Sequence, residues 1–366
     1  MKFRFAIISD PHVAVPQTID LHSTRFSVVE ISLLALEKVL SHLEQLDIDF
    51  LLLPGDLTQD GELDNHRWLQ QRLAALPFPV YVVPGNHDIP SLQPNQQTLG
   101  FHQFPDYYYH QSYRNLNQLY YTCEVLPGVQ LIGLNSTQFN QQGKQIGCLD
   151  ENQLAWLEQL LPQLKDQFIF VMVHHNVIEH LPGQANHELG KRYMLDNANL
   201  LLNLLKESGC QLIFTGHLHV QDIAYSNNIY EITTGSLVSY PHPYRIIEVE
   251  HKQHKNIRLN VTSHRVNEVP GWDNLAKISR ERLGDRSFGF MMKLLTSSPL
   301  NVPVTEAEKL APHLRYFWAD IAHGDSLFDF PHFPASIRHY FQQFGAIKPD
   351  GTPHLIDNHT TLYLSD

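Results

Sequence analysis

The chain has 366 residues, 43% hydrophobic and 17% charged, which is enough to bury a large core and is unlike a disordered composition. Thirty-eight acidic residues against 26 basic ones leave a formal net charge of −12. That balance disfavours a protein that wraps a nucleic-acid polymer, whereas an anionic small substrate stays open, because bound metal ions invert the local field. In chain order, strands are predicted near 3–9, 49–54, 79–84, 129–135, 168–174 and 211–215. Most are continuous apolar runs such as Phe50-Leu51-Leu52-Leu53, the pattern of strands covered on both faces. Residues 26–46 carry Val29, Leu33, Leu36, Leu40 and Leu43 at helical spacing. Residues 151–164 read as a helix capped by Asp150, with Gln153 reciprocating as in a capping box, and 197–208 as another. The alternation predicts an α/β sheet core.

From about 222 the pattern changes to short β runs, Asp222–Tyr225, Ile229–Thr234, Tyr244–His251 and Asn256–Val261, with a hairpin turn at Asn227-Asn228. These predict a mainly antiparallel second sheet packed on the first. Past about 265 the pattern is helical: an amphipathic stretch over 273–296, breaks at Pro299 and Pro303, and a capping box at Thr305-Glu306-Ala307-Glu308 for a helix near 306–322. The expected organisation is a catalytic domain over 1–264 and a helical cap or dimerisation region over 265–366. Three scattered cysteines, Cys123, Cys148 and Cys210, form no CxxC pair, so no disulfide framework is expected. No run approaches the ~20 apolar residues of a membrane span, and the N-terminal apolar stretch breaks at Asp10-Pro11. The expectation is a cytoplasmic protein with no signal peptide and no membrane partner.

Polar blocks follow five of the strands: Asp10-Pro11-His12, Gly55-Asp56, Gly85-Asn86-His87-Asp88, His174-His175 and Gly216-His217-Leu218-His219. They bring Asp, Asn and His to one sheet edge. Hydrolysis of a phosphate ester needs a nucleophilic hydroxide, neutralised phosphoryl oxygens and help for the leaving alkoxide. Two divalent ions held by oxygen and nitrogen ligands supply the first two. An ordinary helix cap or turn explains any one block taken singly, but no packing need selects the ordered set.

The ordered set resembles the motif series of calcineurin-like metallophosphoesterases. The resemblance covers roughly residues 1–250 and implies a four-layer α/β/β/α sandwich of two mixed sheets. It implies that Asp10, His12, Asp56 and His219 bind one metal ion and that Asp56, Asn86, His174 and His217 bind a second, with Asp56 as the bridge. The ions would be Mn, Fe, Zn or Co, and a hydroxide shared between them would attack. The resemblance also implies that His87 faces the substrate as a catalytic residue; Asp88 is expected to orient it, and His175 to stand behind the ligands. Purple acid phosphatases would carry a tyrosine where Gln59 stands, and protein Ser/Thr phosphatases an arginine-containing extension that Gly55-Asp56-Leu57-Thr58-Gln59-Asp60-Gly61 lacks. The series is most similar to bacterial class III cyclic-nucleotide phosphodiesterases and glycerophosphodiesterases, in which a C-terminal element caps the site or builds a homodimer.

The expected activity is therefore cleavage of a small phosphodiester. The alternatives are a phosphomonoesterase on a nucleotide or sugar phosphate and a non-catalytic scaffold. Between 101 and 121, Phe104, Tyr107, Tyr108, Tyr109, Tyr113, Tyr120 and Tyr121 read as an insertion packed on the sheet in preference to a base-stacking wall. His180 and His187 are expected at the surface, as are His102, His110, His332, His339, His354 and His359. Tyr240 to Tyr244 divides evenly between the pocket mouth and an ordinary turn.

Overall fold

The structure, a computed structural model, describes residues 2–20, 25–109, 112–113, 115–251 and 257–364. His110 and Asn256 lie outside the described residues. The strands are β1 (Lys2–Ile7), β2 (Phe50–Pro54), β3 (Val80–Val83), β4 (Tyr121–Leu126), β5 (Val129–Gly133), β6 (Thr137–Phe139) and β7 (Gln145–Gly147). They continue as β8 (Phe168–Met172), β9 (Leu212–Thr215), β10 (Asp222–Ser226), β11 (Ile229–Thr233), β12 (Pro243–Glu250), β13 (Ile257–Arg265) and β14 (His359–Leu364). The helices are α1 (Ser32–Leu43), α2 (Leu63–Ala74), α3 (Phe104–Tyr108), α4 (Glu151–Leu160) and α5 (Glu188–Lys191). After them come α6 (Ala198–Ser208), α7 (Leu275–Thr296), α8 (Val304–Leu310), α9 (Phe317–His323) and α10 (Ala335–Gln342).

Two six-stranded mixed sheets form, in the orders β14-β13-β12-β1-β2-β3 and β10-β11-β9-β8-β5-β4. In the first, β1, β2 and β3 run parallel and β12, β13 and β14 add antiparallel; in the second, β5, β8, β9 and β11 run parallel between antiparallel β10 and β4. Side-chain alternation on β8 shows why four layers result. Phe170 and Met172 join the core between the sheets, while Ile169 and Val171 pack outward against Leu157 of α4 and Leu201 and Leu205 of α6. On the other side Leu36, Val39 and Leu40 of α1 and Leu69 and Leu73 of α2 cover the first sheet.

Four departures from the sequence reading have local causes. The runs after 222 do not make a separate sheet: β10 and β11 extend the second mixed sheet, and β12 and β13 extend the first. Asp150 caps α4 by accepting from the Gln153 backbone N–H, but the Gln153 side chain turns away to pair with both backbone groups of Asn135. The capping box at Thr305 does not form, because the helix begins at Val304 with Pro303 at its cap and so encloses Thr305 in the first turn. The region after 265 is not wholly helical, since β14 returns to pair antiparallel with β13. No helix among the described residues is long and apolar enough to cross a membrane. Phe104, Tyr108, Tyr113 and Tyr121 are buried in the core, so the aromatic insertion is packing.

The sheets meet on stacked rings. Phe5 lies 4.8 Å from Phe50 and 5.8 Å from Phe170, both near-parallel, and meets Phe214 edge-on at 5.5 Å. Phe5→Ala is expected to cost about 3–5 kcal/mol, read as a lower urea midpoint with unchanged slope, because the cavity is walled by two sheets that cannot close on it. A cost under about 1 kcal/mol would mean that the inter-sheet core relaxes freely.

Candidate metal centre

The polar blocks lie at the carboxyl ends of β1, β2, β3, β8 and β9, the edge at which open α/β sheets place their ligands. Bringing five chain segments to one point forces unusual backbone. Asp10, His12, Asp56, His217 and His219 all have positive φ, between 41° and 66°. Each such residue costs on the order of 1 kcal/mol, a kind of strain that concentrates at functional sites. The glycines of the blocks answer a space requirement. A Cβ on Gly85 would stand 2.2 Å from Asp56 N and Oδ1, and one on Gly216 would stand 2.1 Å from Ser9 Oγ.

Two groups of donor atoms result: Asp10, His12, Asp56 and His219, and Asp56, His174 and His217, each with its atoms within 4.8 Å of one another. Asp56 is common to both. In the first group His219 Nε2 lies 3.1 Å from Asp10 Oδ1 and 3.5 Å from His12 Nε2, and His12 Nε2 lies 3.7 Å from Asp56 Oδ2. In the second, His174 Nε2 is 3.4 Å from Asp56 Oδ1 and 3.2 Å from Asn86 Oδ1. All seven residues that the sequence nominates as ligands are thus brought together.

The chemistry of these donors fits divalent cations. Two imidazole nitrogens and two carboxylates converging in a buried site repel or starve one another unless a cation sits among them. His174 Nδ1 donates to the Pro54 carbonyl at 2.8 Å, which aims Nε2 at Asp56 and Asn86. Burial pushes His12 down to about 3 and His217 well below the ordinary range, so both rings are neutral, as a ligand must be. Burial acts against charge on Asp56, yet the His174 and His87 rings hold its carboxyl well below the usual carboxylate range. His174 is also opposed by burial, but Asp56 beside it pushes it up to about 9, so a cation here must displace a proton.

His87 stands off the donors, its ring 4.7 Å from that of His12. Its backbone N–H donates to Asp56 Oδ1 at 2.8 Å, and its Nδ1 meets the Gln59 carbonyl at 2.5 Å and Asp60 Oδ1 at 3.3 Å. The expectation that Asp88 orients His87 is corrected by this geometry. The buried Asp88 carboxylate accepts instead from the backbone N–H groups of Leu57, Thr58 and Gly85 and from the Thr58 hydroxyl. Burial and the nearby Asp56 push Asp88 up to about 7. The sequence reading missed Asp60, although it stands in the quoted block at Asp56. His175 packs behind the site, its Nδ1 2.8 Å from Ser136 Oγ and its ring 4.3 Å from that of His217.

One surface expectation also fails: His180 is buried in an ion pair. His187 is half-exposed and accepts the Leu189 N–H at the start of α5. His102, His332, His339, His354 and His359 are exposed as expected. The donors open into a cavity of about 680 Å³, whose walls include His87, Lys144, Lys191, Arg192, Tyr240 and Trp318. Tyr240 therefore belongs to the pocket.

Residues 3–221 match the calcineurin-like phosphoesterase family. "Probable glycerophosphodiester phosphodiesterase GpdQ" of Arcobacter nitrofigilis is 28% identical over 192 residues, 51% of this chain and 63% of that protein, so the match spans less than two thirds of that relative. "Probable cyclic nucleotide phosphodiesterase" of Vesicomyosocius okutanii is 26% identical over 220 residues, 60% of this chain and 79% of that one. A crystal structure of a dimetal phosphatase from Danio rerio shares the fold with a TM-score of 0.51 and 16% identity, over 72% of this chain and 96% of that one. With more than half of its length in the match, the chain belongs to the calcineurin-like phosphoesterase family.

Proposed function

We propose that the protein is a dinuclear metal-dependent phosphodiesterase acting on a small substrate such as a cyclic nucleotide or a glycerophosphodiester. The observation that carries this reading is the sharing of Asp56 between two converging groups of donors. Asp10, His12, Asp56 and His219 would hold one divalent ion, and Asp56, Asn86, His174 and His217 the other. Two such ions, when bound, acidify a water and neutralise phosphoryl oxygens. The names of the relatives at 28% and 26% identity support a diester over a monoester.

The chain's own residues supply the rest. His87 has Nδ1 engaged by the Gln59 carbonyl and Asp60, so Nε2 is the atom available to the cavity. From there it hydrogen-bonds a phosphoryl oxygen or protonates the leaving alkoxide. Burial opposes charge on this ring, but Asp56 and Asp60 with the Gln59 carbonyl push it up to about 10, which favours the donor form. A cavity of about 680 Å³ suits a ligand of nucleotide size. Lys144, Lys191 and Arg192 on its wall favour an anion, and Tyr240 and Trp318 offer faces to a planar or apolar ester group.

Chelator-treated protein is expected to regain activity when a single divalent metal is restored, with bis-p-nitrophenyl phosphate turned over faster than the mono-ester and 3′,5′-cyclic AMP as a second diester. Faster turnover of the mono-ester would move the assignment to a phosphomonoesterase. Asp56→Ala is expected to lose metal content and activity together, and normal turnover by that variant would sink the two-ion reading. His87→Ala is expected to keep its metal and to lose roughly 10²–10⁴ in kcat. An unchanged kcat would remove His87 from the mechanism.

A further inference from the structure

Glu231, on β11, is fully buried and belongs to neither group of donors. Its Oε2 accepts the backbone N–H groups of Val177 at 2.9 Å and Ile178 at 2.5 Å. Its Oε1 accepts the Thr215 hydroxyl at 2.7 Å and the Asn176 side-chain amide at 3.3 Å. The same Asn176 amide reaches the Gly216 carbonyl at 3.4 Å, and the Gly216 N–H donates to the His174 carbonyl at 3.2 Å. One carboxylate therefore grips the segment that follows His174-His175 and the turn that delivers Gly216-His217.

The counter-charge is His180. Its Nε2 lies 3.0 Å from Glu231 Oε1 and its Nδ1 2.6 Å from Asp222 Oδ2. Burial disfavours charge on this ring, but Glu231 and Asp222 push it up to about 10, which favours the charged form. Glu231 thus meets four hydrogen-bond donors and one imidazole ring.

We infer that Glu231, through the four hydrogen bonds it accepts, is a positioning residue that fixes His174 and His217 as ligands of one ion of the pair. The inference rests on the two-ion reading. It assigns Glu231 a function upstream of the chemistry: ligands must be held within about 0.5 Å of productive geometry, and partners behind a ligand typically govern metal affinity 10–100-fold.

The test is metal content and affinity, which need no substrate. Wild-type protein, Glu231→Gln and Glu231→Asp are loaded with Mn, dialysed against a competing chelator and assayed for metal per chain. Glu231→Gln places an amide N–H₂ among donors, so at least one of the four bonds breaks. It is expected to retain one ion per chain where the wild type retains two, with the second ion bound 10–100-fold more weakly. Glu231→Asp is expected to recover part of the loss. Ile229→Val, a core change on the same strand, controls for simple loosening and is expected to keep both ions. Should Glu231→Gln fail to fold, Thr215→Val carries the same expectation, because it removes one of the four bonds and keeps the side-chain shape. Two ions at unchanged affinity in the folded variant overturn the inference and leave the two-ion reading standing. Equal ion loss in Ile229→Val also overturns it. A wild-type chain that binds no ions overturns both.

Discussion

The architecture depends on holding strained turns against one another in a buried site. Five of the donor residues sit in left-handed backbone, and their blocks approach so closely that Gly55, Gly85 and Gly216 have no room for a Cβ. Such turns relax unless something grips their peptide groups. Beside the donors Asp10 and Asp56, which accept the His217 and His87 N–H groups, two buried carboxylates outside the donor groups do this. Asp88 ties the turn after β2 to the turn after β3, and Glu231 ties the segment after β8 to the turn after β9. Peptide N–H groups bonded to a buried carboxylate have no competing water, so each staple is worth more than an exposed turn bond.

The two staples differ in electrostatics. Glu231 has a cationic partner, whereas burial and Asp56 push Asp88 toward neutrality. Asp88 is sustained by backbone dipoles and the Thr58 hydroxyl alone. Its half of the site carries Asp56, the carboxylate common to both donor groups, so a second full negative charge there opposes the first unless cations are present.

Much of this was legible in the sequence, for identifiable reasons. Parallel strands buried on both faces are continuous apolar runs, and five of them end in a polar block, so the sheet edge could be read from the residues, while the assignment of the seven donors came from the resemblance of the ordered set to a family. Local sequence does not carry partner choice. The β12 and β13 runs alternate as any antiparallel strand does, and nothing in them says that β12 pairs with β1. The α2 segment went unread because it buries few residues on a mostly polar background, and β4 because it buries Tyr121 alone of its six residues. Asp88 lies beside His87 in sequence, yet its carboxylate is claimed by peptide groups some thirty residues back. Glu231 gave no signal, since a lone acidic residue in a β run reads as solvent-facing.

The return of β14 to the first sheet changes what the helices after β13 are. Arg258 pairs with Tyr363 across that junction, so the segment from α7 to α10 leaves and re-enters the sheet on adjacent strands. It is an insertion within a hairpin, tethered at both ends, and it supplies Leu283, Trp318 and Ala322 to the cavity. A wall anchored in this way cannot swing out as a tail would. Its length and sequence can change between two fixed strand ends, while the donors stay with the ends of β1, β2, β3, β8 and β9.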